Sequence, residues 1–379
     1  MLLKYHWRSL TNRRSRTLLT AAGIGLAVFV AMVMLGLARG ISASFQTTGN
    51  PLNVLVTSRG AETIEFSALD RSTYEALRYT PGLAEIEGYS LASPEILFAA
   101  THEKDGRVSQ ALVRGVLPVA TAVHDQLRLG EGRWPAEGDE IAVGPLVAVK
   151  LGLAPETLRV GQSLELDGKP WLIVGRFEAP GTAFEAEIWG LLDSLMTTYR
   201  KEELNAVVLQ APNEEALEEL LFDLDTRRDV LVAVRRETDY YAAHAAAFRP
   251  ISAAIGIMAG ILSLGGTLIA MNTLFASVTS RTRELGMLRT LGFRRIQLAV
   301  GFALEGLLPA LAGSLIAIAA VLLIQGFALR LPMGAFRLQA DPQLLASGLV
   351  LGVLIGLLGS TAAIIRTLRL STIQSIRHL

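Results

Sequence analysis

Residues 18–38 form a run of 21 residues without a single charge. As a helix rising ~1.5 Å per residue it reaches about 31 Å, the thickness of a bilayer's hydrocarbon core. Runs 251–277, 296–324 and 344–365 are of the same kind, with one carboxylate, Glu305, among them. The mean hydropathy of the 379-residue chain is +0.41, too apolar for an ordinary soluble protein. Lipid offers no water to satisfy backbone groups, so apolar runs of this length fold as helices. The expected fold class is therefore a membrane α-helical protein with four transmembrane helices. A large extracytoplasmic α+β domain is expected between helices 1 and 2.

The formal net charge of zero hides a strong segregation. Segment 39–250 holds 20 basic and 32 acidic residues. Segments 1–17, 278–295 and 366–379 together hold 13 basic residues and one acid. Short loops rich in Lys and Arg stay in the cytoplasm. This sorting places both termini and 278–295 inside and 39–250 outside, with 325–343 a short outer loop. It argues against nucleic-acid binding, which gathers basic residues on one folded face. Segment 1–17, with Lys4, Arg8, Arg13, Arg14 and Arg16 around Trp7 and Tyr5, reads as a basic interfacial segment or a plain positive flank. The apolar core of 18–38 is longer than that of a cleavable leader, so the expectation is an uncleaved signal anchor. The absence of cysteine fits an exported domain that needs no disulfides.

Within 39–250, charges are frequent and Pro and Gly punctuate the chain. The pattern predicts strands at 53–57, 110–116, 205–210 and 230–235, and helices at 67–79 and 213–225, the latter capped by Asn213. Asp167-Gly168 lies between two alternating apolar runs and predicts a tight type I′ hairpin over 163–175. Strands interleaved with helices indicate an α+β or split βαβ arrangement. Residues 240–248 are expected to form a helical stalk entering the membrane, with Pro250 at the boundary and Tyr240 and Tyr241 as interfacial aromatics.

The most informative stretch is 278–295, reading VTSRTRELGMLRTLGFRR. Arg281, Arg283, Arg289, Arg294 and Arg295 face one acid, Glu284. Leu285, Leu288 and Leu291 recur about one turn apart and Gly292 supplies a stop, so a short amphipathic helix is expected at the cytoplasmic face. Arg283-Glu284-Leu285-Gly286 followed by Leu288-Arg289-Thr290-Leu291-Gly292 resembles the "REIG.LRALG" signature of MacB/FtsX-type (type VII) ABC transporter permeases. Met271-Asn272-Thr273-Leu274 is similar to the end of the preceding helix in that family, and residues 110–177 look like its middle region. The tail departs from the family, with 371–377 lacking the usual proline. The resemblance implies that Arg281, Arg283, Glu284, Leu285, Gly286, Leu288, Arg289, Leu291 and Gly292 form a coupling helix that docks on a separate ATPase. It also implies a porter-like outer domain with an inserted β-rich part.

Three further features bear on packing and chemistry. Gly348, Gly352 and Gly356 form two successive GxxxG steps on the fourth span. Gly256 and Gly260 form one on the second, and Gly36 and Gly40 one on the first. Such faces let backbones approach closely, either across a dimer seam or within one protomer. Glu305 lies nine residues into the third span. A carboxylate there faces protein or a cavity, either as a proton or substrate site or as a structural acid paired with Asn272 or Thr267. The sequence contains no GxxxxGK[ST], HExxH or GxSxG motif, and His6, His102, His124, His244 and His378 show no metal-ligand spacing. Glu214, Glu215, Glu218 and Glu219 read as a solvated helix face.

The expected function is the permease subunit of an ABC transporter, itself no enzyme and without a cofactor of its own, ATP and Mg being bound by the partner ATPase. The expected partners are two ATPase copies, a second copy of the chain, membrane lipid and, for efflux, a periplasmic adaptor with an outer channel. The expected location is a bacterial inner membrane. The alternatives are an FtsX-like regulator of a cell-wall hydrolase, a lipoprotein-releasing permease and a membrane sensor or scaffold without transport.

Overall fold

The computed structural model describes residues 14–369 except 105, 228, 332, 333 and 339. The basic segment 1–13 and the tail 370–379 thus lie outside the described residues. The chain divides into two compact units: residues 40–249 with 328–337, and the remainder.

The helical unit contains four helices long and apolar enough to cross a membrane. They are α1 (Arg14–Thr48), α8 (Arg249–Ser280), α10 (Arg295–Leu323) and α11 (Pro342–Arg369). Helix α1 continues ten residues beyond the expected end at Ala38. Within 39–48 only Gly40 disfavours a helix, and Thr48 anchors the last turn by donating to the Ser44 carbonyl at 2.6 Å. The breakers arrive only at Gly49-Asn50-Pro51. From Gly40 onward α1 belongs to the other unit.

The glycine steps separate into two kinds. A methyl on Gly356 would lie 2.7 Å from the Ala310 methyl, and one on Gly359 would lie 2.6 Å from that of Ala270. Gly348 abuts Met32, and Gly352 abuts Ser314. One row of α11 therefore packs against α1, α8 and α10 inside the protomer. Around Gly256 and Gly260 there is open space. Gly352→Leu should lower the stability of the detergent-solubilised chain by roughly 1–3 kcal/mol or more through overpacking. Gly256→Leu should leave its melting temperature unchanged, as a thermal-shift comparison would show.

The α+β unit opens with β1 (Asn53–Ser58), α2 (Arg71–Leu77), the short ribbon β2 (Glu85–Ile86) and β3 (Tyr89–Ser90), β4 (Ala92–Lys104) and β5 (Arg107–Val116). The turn α3 (Ala120–Val123), β6 (Arg128–Gly132), β7 (Glu140–Val143) and α4 (Val147–Leu151) follow. Then come β8 (Ser163–Leu166), β9 (Lys169–Glu178), β10 (Glu187–Leu191) and α5 (Leu192–Thr198). The unit closes with β11 (Ala206–Gln210), α6 (Glu214–Thr226), β12 (Val232–Arg236) and α7 (Glu237–Ala247). The strand order is β12-β1-β11-β4-β5-β10-β7-β9-β6, with β8 beside β9.

The first four strands of that order are mutually antiparallel, and α2 and α6 follow β1 and β11. This is a split βαβ lobe. Strand β4 serves both halves of the sheet, pairing β11 through 92–95 and β5 through 96–104. The second lobe is inserted there, between the second and third strands of the first, and returns at Asn205. Trp171, Ile96, Val113, Ile141 and Leu195 are among the buried residues that join its core to that of the first lobe.

Local expectations hold at several points. Asp167 and Gly168 adopt φ of 50° and 77°, closing the β8–β9 hairpin as an I′ turn requires. Asn213 caps α6 by accepting from the Ala216 amide at 2.9 Å. The helix expected over 67–79 is shorter, at Arg71–Leu77. Residues 67–69 are held extended instead. The Ser67 hydroxyl accepts from the Ser58 amide at 2.8 Å, and Leu69 bridges Leu204. Tyr240 and Tyr241 are buried in the α+β unit rather than interfacial. The loop 325–343 contains a hairpin, β13 (Ala328–Leu331) and β14 (Gly334–Arg337), which belongs to this unit.

A buried charge network lies beneath α7. Arg114 on β5 donates to both oxygens of Glu187 on β10, at 2.7 and 2.8 Å, and to Glu95 on β4 at 2.6 Å. The other Glu95 oxygen meets His124 Nε2 at 2.7 Å. Burial by itself would push the Glu95 carboxyl up. The charges of His124 and Arg114 and their hydrogen bonds outweigh it and hold the carboxyl at about 2. A depressed carboxyl contributes stability above its unfolded value of 4.5 and loses it as pH falls toward 2. Acid titration followed by tryptophan fluorescence should show about 3 kcal/mol lost over that range through Glu95. Glu95→Gln should be less stable at neutral pH and lose less on acidification.

Candidate coupling helix

The stretch 278–295 folds as a short helix, α9 (Thr282–Thr290), between α8 and α10. The break from α8 is at Arg281, whose φ of −118° and ψ of 15° turn the chain. The far end is closed by Gly292. Its φ of 94° lets the Phe293 amide donate to Leu288 and the Gly292 amide to Arg289, a Schellman stop. Gln297 then accepts from the Arg294 amide at 2.9 Å, starting α10.

Leu285 is the apolar anchor of α9. It is 1% exposed and packs with Leu274, Val278, Leu298, Phe302 and Ala363, with Leu288 alongside. Leu291 was expected on the same stripe, but it is 76% exposed. A three-residue step falls short of a full turn, so 285, 288 and 291 drift steadily around the helix. The exposed side of α9 thus carries Arg283, Glu284, Met287, Thr290 and Leu291. Met287 and Leu291, four residues apart, form an apolar pair beside charged neighbours, whereas Gly286 is buried and Arg289 half-buried.

Arg281 points inward. Its guanidinium donates to Glu305 on α10 at 3.1 Å, and both side chains are buried. This corrects the expectation that Glu305 pairs with Asn272 or Thr267. Thr267 donates to the Ser263 carbonyl within its own helix, and Asn272 is exposed on α8. Helical spacing could not reveal the pair, because its partners are 24 residues apart, one in the turn after α8 and the other on α10. A further tie links the ends of α10 and α11, where Arg295 donates to the Leu368 carbonyl at 2.9 Å. Two polar groups singled out in the sequence are surface or packing features. Glu214 and Glu218 bind Arg236, as a solvated helix face does, and His244 bonds the Tyr240 carbonyl one turn back.

A four-span chain with an α+β domain between spans 1 and 2, and a short helix between spans 2 and 3 whose inner side is anchored in the bundle, has the layout of a permease subunit. The chain belongs to the MacB/FtsX-type ABC transporter permeases. Residues 17–227 match the MacB-like periplasmic core domain, and residues 256–372 match the FtsX-like permease C-terminal domain. The chain is 22% identical to the ABC transporter permease YknZ of Bacillus subtilis, over 98% of its own length and 97% of that protein's. It is 24% identical to the macrolide export ATP-binding/permease protein MacB of Hyphomonas neptunium, over 93% of this chain and 58% of that one. With MacB of Nitrobacter winogradskyi the identity is 23%, over 79% of this chain and 48% of the relative. The chain thus spans about half the length of these MacB relatives. Among solved structures, the extracellular domain of a YknZ from Gram-positive bacteria aligns with 48% of this chain and 99% of its own, at 12% identity and a TM-score of 0.37. The periplasmic region of MacB from Actinobacillus actinomycetemcomitans aligns with 52% and 94%, at 10% and 0.37.

Glu305→Gln would leave the Arg281 charge buried without its carboxylate, a loss of roughly 3–5 kcal/mol. Limited trypsin digestion should then cut within α9 faster than in the parent chain. The paired change Arg281→Met with Glu305→Leu should restore much of the resistance at Arg283 and Arg289.

Proposed function

We propose that this chain is the permease subunit that receives ATP-driven motion from a separate ATPase and passes it to its own extracytoplasmic domain. The observation that carries the reading is the two-sided character of α9. One side is fixed to the bundle through Leu285 and the Arg281–Glu305 pair, and the other presents Arg283, Glu284, Met287 and Leu291 outward. A helix built this way can accept a partner and move with its neighbours as one piece. The charge sorting supports a cytoplasmic position for α9 and for both termini in a bacterial inner membrane.

In this reading two ATPase copies dock on two copies of the chain, and ATP and Mg are held by the ATPase. Helices α8 and α10 and the stalk helix α7 carry the displacement, since packed helices resist deformation. The α+β domain then acts on a substrate already outside the membrane, with an adaptor protein and an outer channel, in export. The MacB relatives named for macrolide export support this direction.

The test is co-purification in mild detergent from native membranes, followed by ATPase assay of the recovered complex. The expected result is an ATPase with an adaptor, and stimulation of its activity by this chain. Met287→Asp or Glu284→Ala should lower that stimulation at least about tenfold while membrane insertion and melting stay unchanged. An ATPase recovered with a peptidoglycan hydrolase in place of an adaptor would redirect the reading to hydrolase regulation. Recovery of no ATPase, under conditions that keep other such complexes whole, would refute it.

A further inference from the structure

The buried network in the α+β unit has a second half that touches α7. Glu237 opens that helix and is 2% exposed. Its Oε2 accepts from the Asn50 amide, just beyond the end of α1, at 3.0 Å, and from Asn53 Nδ2 on β1 at 2.8 Å. Its Oε1 lies 3.6 Å from His124 Nδ1. Asn53 also donates to the Val123 carbonyl at 3.1 Å, fixing the backbone that presents His124. One carboxylate thus meets the end of α1, strand β1, the turn after α3 and the first residue of α7.

His124 is fully buried and has a carboxylate beside each ring nitrogen, Glu95 at Nε2 and Glu237 at Nδ1. A neutral imidazole carries a proton on one nitrogen and a lone pair on the other. It can satisfy one of these carboxylates and must turn a lone pair to the other. An imidazolium, or a neutral imidazole beside a protonated Glu237, removes that conflict. Either arrangement would put one added proton between His124 Nδ1 and Glu237, which stand 3.6 Å apart with the buried Nδ1 making no hydrogen bond among the described residues. The other groups facing this site are Arg114 on β5, with Glu187 of β10 on its far side, and Tyr241 on α7. The rings of Phe184 and Trp189 close the site edge-on at 5.1 and 5.6 Å. With His124 neutral, the three carboxylates Glu95, Glu187 and Glu237 face the single cation Arg114, an excess of two negative charges that the proton reduces to one.

We propose that His124 and Glu237 are positioning residues forming a proton-dependent clamp, which ties the end of α1 and the first turn of α7 to the sheet. With the proton in place, Glu237 is held from three sides. Without it, the Glu237 carboxylate faces a lone pair, and α7 is held at this point only through Asn50 and Asn53. Burial by itself would push His124 down, but Glu95 first and then Glu237 outweigh it, and the imidazole titrates above its ordinary 6.5. Burial pushes the Glu237 carboxyl above its ordinary 4.5. Both are raised values, so the clamp is complete at low pH and is lost as pH rises past 6.5 through the raised value of the pair. The clamp lies wholly within the α+β unit and does not depend on the ATPase reading.

Hydrogen exchange of the full-length chain in lipid nanodiscs tests this, with rates corrected for intrinsic pH dependence between pH 6 and pH 9.5. In the parent chain, protection across residues 237–247 should fall about tenfold on the alkaline side of pH 6.5, while 214–226 in α6 keeps its protection. His124→Gln, whose amide can still donate to Glu95 but binds no proton, should show low protection in 237–247 without a pH step. Glu237→Gln removes the carboxylate and leaves His124 in place. It should also abolish the step, and it decides the matter if the histidine variant does not fold. A flat profile in the parent chain, or a step that survives in Glu237→Gln, would overturn the clamp. Equal loss in α6 would overturn it as well, because the step would then belong to global unfolding.

Discussion

Close approach of backbones along one row of glycines holds the helical unit together. Between helices in lipid there is no hydrophobic driving force, because acyl tails are as apolar as leucine, and association rests on contact and hydrogen bonding. Gly348, Gly352, Gly356 and Gly359 give α11 a face without side chains, and Met32, Ser314, Ala310 and Ala270 from three other helices fill it. Gly306 returns the favour on α10, where an added methyl would sit 2.7 Å from the Gly356 carbonyl. The same dense packing at the end of the bundle gives α9 a firm floor around Leu285 and Phe302.

That floor explains why nine residues can hold a helix here. An isolated helix of two and a half turns is marginal in water. Here it is bounded by a turn at Arg281 and a Schellman stop at Gly292, and tied to α10 by a buried ion pair. Such a pair adds little net stability compared with apolar packing, but it fixes one geometry, since either partner alone is costly. The arginine nearest the start of the motif is therefore part of the mount. Arg283, Glu284, Met287 and Leu291 further along form the outward side.

The α+β unit uses the same device on a larger scale. Glu95, Arg114 and Glu187 are lone charges within the otherwise apolar strand segments SPEILF, ALVRGV and EIWGL. They become neighbours only because β4, β5 and β10 lie side by side where the inserted lobe leaves the split βαβ frame. His124 and Glu237 extend the network to the ends of two helices, so each carboxylate and cation is matched by a group from a different element.

Features that depend on near neighbours were legible in the sequence. The four spans follow from the length of uncharged runs, the β8–β9 hairpin from Asp167-Gly168, the α6 cap from Asn213, and the stop after α9 from Gly292. The family was legible too, because its signature lies within one short stretch. The sequence also placed a helix at α9, yet it put Leu291 on the buried stripe and gave Glu305 the wrong partner. It left open whether the glycine steps face a second copy or the same protomer. Those questions turn on contacts between residues far apart in the chain. Arg281 meets Glu305 on α10, Gly352 meets Ser314, and Glu237 meets Asn50 and His124. Periodicity records which face of an element is apolar, but not which element that face meets. Only the packed structure supplies the partner, and with it the charge that makes a buried carboxylate tenable.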